Sequence, residues 1–158
     1  MRTPASSSTT QRPVIRTGWT STLLDLDHFK SFNDAHGHAG GVRVLQIFSA
    51  LMLECFRGED IATRVGGEEF AVLLPRATKS EALVAVERFR CLLADSTMLL
   101  KDGQELTITV SIGLAVSRRP STPLDELMKR ADAGLYRAKR EDRNRTVMAS
   151  DDQSSNAT

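Results

Sequence analysis

The sequence is short of cysteine, of aromatic residues, of long apolar runs and of any excess of charge. Its two cysteines, Cys55 and Cys91, are too few for a disulfide scaffold. Six Phe, one Trp and one Tyr give no stacking platform for single-stranded nucleic acid. Lysine plus arginine is 21 and aspartate plus glutamate 20, so the net charge of +1 offers no polybasic surface for nucleic acid or anionic lipid. Apolar runs reach five residues, as at Phe70–Leu74, where a membrane span needs roughly 20. What remains is ordinary: 158 residues, 41% hydrophobic and 26% charged, suit one globular domain.

Residues 1–13 are rich in Ser, Thr, Pro and Arg without an acid, and residues 149–158 are small and polar. Neither stretch has apolar surface to offset the entropy of ordering it, so both read as flexible tails around a folded unit at 14–148. The start has the Arg and Ser content of an organellar transit peptide, but its apolar residues form no helical face. A secretory signal needs an apolar centre, which residues 1–20 lack; a cytoplasmic location is expected. No internal repeat is present.

Hydrophobic spacing divides the folded unit. Thr20–Asp27 reads as a strand ending in acids, and Phe29–Ala35 as a short helix broken by the run His36–Gly41. Val44, Leu45, Phe48, Leu51, Met52 and Cys55 then recur at spacings of three and four, the face of an amphipathic helix ending near Arg57. Ile61–Val65 and Glu69–Leu74 read as a hairpin across Gly66-Gly67. Thr78–Asp95 follows as a helix, and Leu106–Val116 as an alternating strand. A helix with Pro123 in its first turn carries Leu124, Leu127, Met128, Ala131, Leu135 and Ala138, and Arg145–Met148 reads as an edge strand. The core order is β-α-β-β-α-β. The fold class expected is α+β, a ferredoxin-like antiparallel sheet with helices on one face.

Three clusters carry chemistry. Asp25-Leu26-Asp27-His28-Phe29-Lys30 sets acids at a strand rim, where they can hold a hard cation. A helix start follows, whose free amides favour an anion. Magnesium ligands beside a phosphate nest are what nucleoside triphosphate chemistry needs. A lone Asp-x-Asp of this kind reads better as Asp27 capping the helix with Lys30 in solvent. Gly66-Gly67-Glu68-Glu69-Phe70 sets two mutually repelling acids at a hairpin tip, useful only if the sheet brings them beside Asp25. Lys139, Arg140, Arg143 and Arg145 follow a helix whose dipole such cations also complement. His36 and His38 without a third soft ligand make a poor zinc set, and are better read as turn or nucleotide contacts. Cys55 and Cys91 fall in amphipathic helices and read as reduced packing residues.

Together these stretches resemble the GGDEF family of diguanylate cyclases, with glutamate at the third signature position. The signature Gly66–Phe70, the strand motif Leu24–Lys30, Phe32-Asn33-Asp34, Gly37-His38, Val110–Gly113 and the stretch from Ala131-Asp132 to Asn144 fit in order. The resemblance implies a nucleotidyl-cyclase-like fold with a central sheet flanked by helices. It implies condensation of two GTP to cyclic di-GMP and two pyrophosphates by a transient homodimer. By position, Asp25, the Leu26 carbonyl and Glu68 would hold Mg2+ or Mn2+, and Glu69 would be a further ligand or a base. His28, Phe29 and Lys30 would cradle the phosphates, and Lys30, Lys139 and Arg143 would stabilise transition-state charge. Gly66 and Gly67 would let the nucleotide lie close, with Asn33 bonding guanine and His38 lining that pocket. Arg57-Gly58-Glu59-Asp60 matches the family's Arg-x-x-Asp product-binding inhibitory site, with Arg88 as a second arginine.

Two departures stand out. The family's Gly-His-x-x-Gly-Asp ends here in Val42, which cannot accept from guanine. The helix that usually precedes the Asp25 strand is missing, with only Arg16-Thr17-Gly18-Trp19 before it. A second reading follows: a cyclic di-GMP receptor with little or no catalysis, relying on Arg57 and Asp60.

Overall fold

The computed structural model describes residues 18–117 and 119–150. The tail readings for residues 1–13 and for 151–158 lie outside the described residues. At residue 149 the tail boundary moves, because the Ala149 N–H donates to Leu114 O at 2.7 Å and continues the sheet pairing.

The elements are β1 (Trp19–Leu26), α1 (Phe29–Cys55), β2 (Ile61–Gly66), β3 (Glu69–Pro75), α2 (Lys79–Asp95), β4 (Met98–Leu99), β5 (Glu105–Leu106), β6 (Val110–Val116), α3 (Leu124–Arg140) and β7 (Thr146–Met148). The main sheet runs β2-β3-β1-β6-β7. Each of its first four strands runs antiparallel to its neighbours among them, and β7 joins β6 in parallel. In β-α-β-β-α-β numbering this is the ferredoxin-like order, as the sequence pattern predicts.

The pleat divides the side chains between two layers. Leu24, Leu26, Phe70, Val72, Ile112 and Leu114 meet α1 and α2 on one face. There Phe48 packs on Phe70 with centroids 4.6 Å apart and edge-on to Phe89 at 5.1 Å. Leu23, Ala71 and Ala115 meet Leu127, Ala131 and Leu135 of α3 on the other face. The expectation of helices on one face is therefore corrected. α3 lies so close to β6 because Gly113 and Gly134 leave room; a Cβ at Gly113 would collide with the Ala131 carbonyl and the Leu135 amide.

Two boundaries also differ. The break expected over His36–Gly41 is confined to Gly37 (φ 75°, ψ 174°), and helix resumes at once through Gly40 and Gly41. Glycine meets a packing need at 41, where any Cβ would strike the Asn33 side chain. The strand expected over Leu106–Val116 is two pieces. β5 pairs with β4, and β6 alone joins the main sheet. Helix α2 starts where its capping box requires: Thr78 Oγ1 accepts from Glu81 N–H, and Glu81 Oε2 from Thr78 N–H. Cys55 is buried as expected, whereas Cys91 is exposed and packs into no core.

Candidate functional site

β1 delivers the first cluster. Strand alternation that sends Leu24 and Leu26 into the α1/α2 core turns Asp25 to the α3 face, where Lys139 Nζ donates to Asp25 Oδ2 at 2.8 Å. Directly across the pair stands Glu69, whose Cα is the register partner of Asp25. Two acids opposite each other repel. Burial pushes the Asp25 carboxyl above its usual range; Lys139 opposes this, and Glu68 and Asp27 add to it. Burial likewise pushes Glu69 up, helped by Asp25 and Asp132 and opposed by Lys139.

These shifts fix a pH dependence for the metal-free protein. The folded state holds both protons more tightly than the unfolded chain does. The contribution of these two carboxyls to stability is therefore fully present below the ordinary carboxylate range and is lost as pH rises through the raised values. Glu69→Gln removes one of the opposed charges and should stabilise the chelator-treated protein at pH 7 by about 0.5 kcal/mol, with no gain at pH 3.5. Thermal melts at the two pH values check this; an equal shift at both would contradict it.

Asp27 is not the helix cap that the plain reading allowed. It is 7% exposed and reaches away from α1. Its Oδ1 accepts from Ser111 Oγ at 2.6 Å, and its Oδ2 from Thr109 Oγ1 at 2.6 Å and Asn144 N–H at 3.0 Å. The cap position falls to His28, left-handed at φ 57° and without a side-chain cap bond. The first turn of α1 thus keeps amides unmet by a cap side chain, beside Lys30.

The hairpin tip lies against this strand end. Leu26 N–H donates to Glu68 O at 3.3 Å. Arg64 clamps the turn, donating to Gly67 O through Nε at 2.9 Å and through its Nη2 at 2.6 Å. Arg64 was not singled out in the sequence, where an arginine inside an exposed strand carries no signal. From α3 and the loop after it come Lys139 and Arg143.

Two adjoining clefts result. One, of about 250 Å³, is lined by Asp25, Leu26, Asp27, His28, Phe29, Lys30, Glu68, Lys139 and Arg143 among others. The second, of about 380 Å³, shares Phe29, Lys30 and Glu68 and adds Asn33, His38, Val42, Arg64 and Gly67. Val42 is 38% exposed there. The Asn33 Oδ1 is buried without a hydrogen-bond partner. Gly66 and Glu69 stand beside these residues in sequence but line neither cleft.

Arg57, Asp60 and Arg88 are brought together elsewhere, in a separate hollow of about 410 Å³ between the end of α1 and α2. Arg57 N–H donates to Asp60 Oδ2 at 2.7 Å, and an Nη of Arg88 donates to Cys55 O at 2.6 Å. No group of three or more His, Cys, Asp or Glu side chains able to hold a metal ion occurs among the described residues. That count leaves room for a magnesium ion, which keeps several waters and takes one or two carboxylates plus substrate phosphates. Asp25 and Glu68 supply two hard carboxylates on one cleft, and the Lys139 ammonium already neutralises part of their charge. The donor set fits such an ion.

A ferredoxin-like sheet with acids at the end of its first strand, an acidic hairpin tip beside them and cations from the last helix defines a nucleotidyl-cyclase-like domain. The chain belongs to the GGDEF family: the family model for "Diguanylate cyclase, GGDEF domain" matches residues 16–145. Among curated proteins, it is 35% identical over 127 residues to diguanylate cyclase A of Treponema denticola, covering 80% of this chain and 34% of that one. It is 39% identical over 139 residues to diguanylate cyclase DgcM of Escherichia coli, covering 88% and 33%. The chain thus spans about a third of the length of these relatives. Among solved structures, the GGDEF domain of DgcB from Caulobacter crescentus in complex with c-di-GMP superposes with a TM-score of 0.79 at 35% identity, covering 84% of this chain and 78% of that one. The active GGEEF domain of a Vibrio cholerae diguanylate cyclase gives 0.78 at 27% identity, covering 85% of each. No described helix is long and apolar enough to cross a membrane.

Proposed function

We propose that this chain condenses two GTP molecules to cyclic di-GMP with release of two pyrophosphates. The observation that carries the reading is the single cleft uniting Asp25, Glu68, Lys30, Lys139, Arg143 and the uncapped start of α1. The names of the relatives support it. Asp25, Glu68 and the Leu26 carbonyl would hold Mg2+ or Mn2+, which supplies charge neutralisation at the phosphates. The amides of His28, Phe29 and Lys30 bind phosphate oxygens. The ammonium groups of Lys30 and Lys139 and the Arg143 guanidinium meet the charge that grows as the bond between the α- and β-phosphates breaks. Asn33 and His38 take the base. Glu69, the register partner of Asp25 across β1 and β3, would serve either as a further metal ligand or as the acceptor of the 3′-hydroxyl proton.

Each 3′-hydroxyl attacks the α-phosphorus held by a facing subunit, so one domain cannot complete the product. The sequence has no heptad run to hold a permanent pair. The rate should therefore rise more steeply than linearly with protein concentration. A linear dependence over a wide range below the dimer dissociation constant would count against transient pairing.

The Arg57, Asp60 and Arg88 hollow favours a second activity, binding of the product. The Arg57 fork suits a phosphate or a guanine edge, and Asp60 can accept from guanine N–H groups. Affinity for cyclic di-GMP should survive Glu68→Ala and fall at least about 10-fold in Arg57→Ala, the loss of one charged hydrogen bond. Calorimetry decides it: unchanged affinity in both Arg57→Ala and Asp60→Ala would remove product control from the account. If turnover is absent and binding remains, the chain is a receptor.

A further inference from the structure

The residues just after α3 have an unusual backbone. Asp142, Arg143 and Asn144 stand consecutively at φ 71°, 60° and 43°, left-handed, and none is glycine. Such a run persists only where its surroundings over-determine it. Arg143 lies in its middle and lines the phosphate cleft.

The structure shows what holds the run. From behind, the Arg143 N–H donates to Ala138 O at 3.0 Å, closing the end of α3. From β1, Asp27 Oδ2 accepts the Asn144 N–H, and the Thr109 and Ser111 hydroxyls fix that carboxylate. From α2, one Nη of Arg90 donates both to Asn144 O at 3.2 Å and to Asn144 Oδ1 at 2.9 Å. The other Nη and the Nε of Arg90 form a fork on Glu87, at 2.8 and 3.0 Å. With its side chain only 19% exposed, Arg90 is anchored before it reaches the loop. A lysine could not make both sets of contacts, because it lacks the planar fork.

We propose that Arg90 and Asp27 are positioning residues that clamp Asn144 from two sides and so hold Arg143 toward the phosphates. The proposal rests on the cyclase reading above. Neither is placed to touch a phosphate: Arg90 is on a helix outside the cleft, and Asp27 borders the cleft but its carboxylate is consumed by its three donors. They act through the backbone of the loop.

The test is a double-mutant comparison with GTP and magnesium, joined to amide hydrogen exchange. Arg90→Ala should lower kcat about 10- to 100-fold, the order expected for misplacing a transition-state group by about an ångström, with KM for GTP little changed. On an Arg143→Ala background the same substitution should cost less than about threefold, because the group it positions is gone. The Asn144 amide should exchange faster in Arg90→Ala, while the amides pairing β1 with β3 keep their protection. An equal loss on both backgrounds, or an unchanged kcat, would overturn the proposal, as would slow exchange at Asn144 or loss of protection throughout the sheet. If Arg90→Ala does not fold, Asn144→Gly removes the side-chain acceptor while allowing the same backbone, and the same non-additivity is required of it. If the wild-type protein neither binds nor turns over GTP, the cyclase reading fails on its own. The exchange arm then decides whether Arg90 holds the loop.

Discussion

Glu68→Ala is expected to lower cyclic di-GMP synthesis at least about 1000-fold. On the proposed metal role of Glu68, its removal takes away several kcal/mol of transition-state stabilisation, at about 1.4 kcal/mol per tenfold. The effect should fall on turnover rather than on folding. Glu68 sits at the tip between β2 and β3, outside both apolar clusters. Its hydrogen bond to the sheet is accepted by its backbone carbonyl from the Leu26 N–H, and alanine retains that carbonyl. An unfolding free energy from urea titration within about 0.5 kcal/mol of wild type is therefore expected. Comparing product formation and unfolding for the same preparation separates the two. Turnover reduced less than tenfold in a folded variant would remove Glu68 from the metal site.

Val42→Asp should work in the opposite direction. The cleft proposed to take the base offers one amide, Asn33, whose buried Oδ1 has no partner, and beside it the Val42 side chain. An aspartate there could accept from guanine N1–H and N2–H, which valine cannot. A charge-assisted hydrogen bond contributes about 1.5–3 kcal/mol, or roughly 10- to 150-fold in affinity. The new carboxylate also approaches Glu68 and the phosphates, which weakens any triphosphate. The gain is therefore read in the ratio of GTP to ATP analogue affinities, where that repulsion cancels. A ratio that rises at least about 10-fold supports the assignment of this cleft to the base. An unchanged ratio means the base binds elsewhere, and Asn33 and His38 lose their proposed roles with it.

Much of this was legible in the residues. The strand and helix order follows from period, and the acids at Asp25 and Glu68 are legible as a pair once the hairpin is folded back on β1. The side of the sheet that α3 covers was not legible. Its apolar stripe says that one face is buried, but the choice rests on Gly113 and Gly134, whose close approach exists only in three dimensions. The alternation of Ile108, Val110, Ile112 and Leu114 hides the break between β5 and β6, since a turn can keep period two by chance. Asp27 was the harder case. Its partners Thr109, Ser111 and Asn144 lie more than 80 residues away along the chain. Beside Asp25 and Lys30 it looks like one more acid of the cleft, whereas its carboxylate is committed to the scaffold. Arg90 and Arg64 were missed for a similar reason: arginines on a helix and on an edge strand look solvated until their acceptors are known.

The central claim is the reaction itself, and one measurement bears on it most directly. Purified protein at high concentration is incubated with GTP and magnesium, and the nucleotides and pyrophosphate are separated and quantified. The account predicts cyclic di-GMP with two pyrophosphates for each dinucleotide formed, and no product when the divalent ion is chelated. GTP left intact at high protein concentration, or consumed to GDP or GMP without the cyclic dinucleotide, would contradict it.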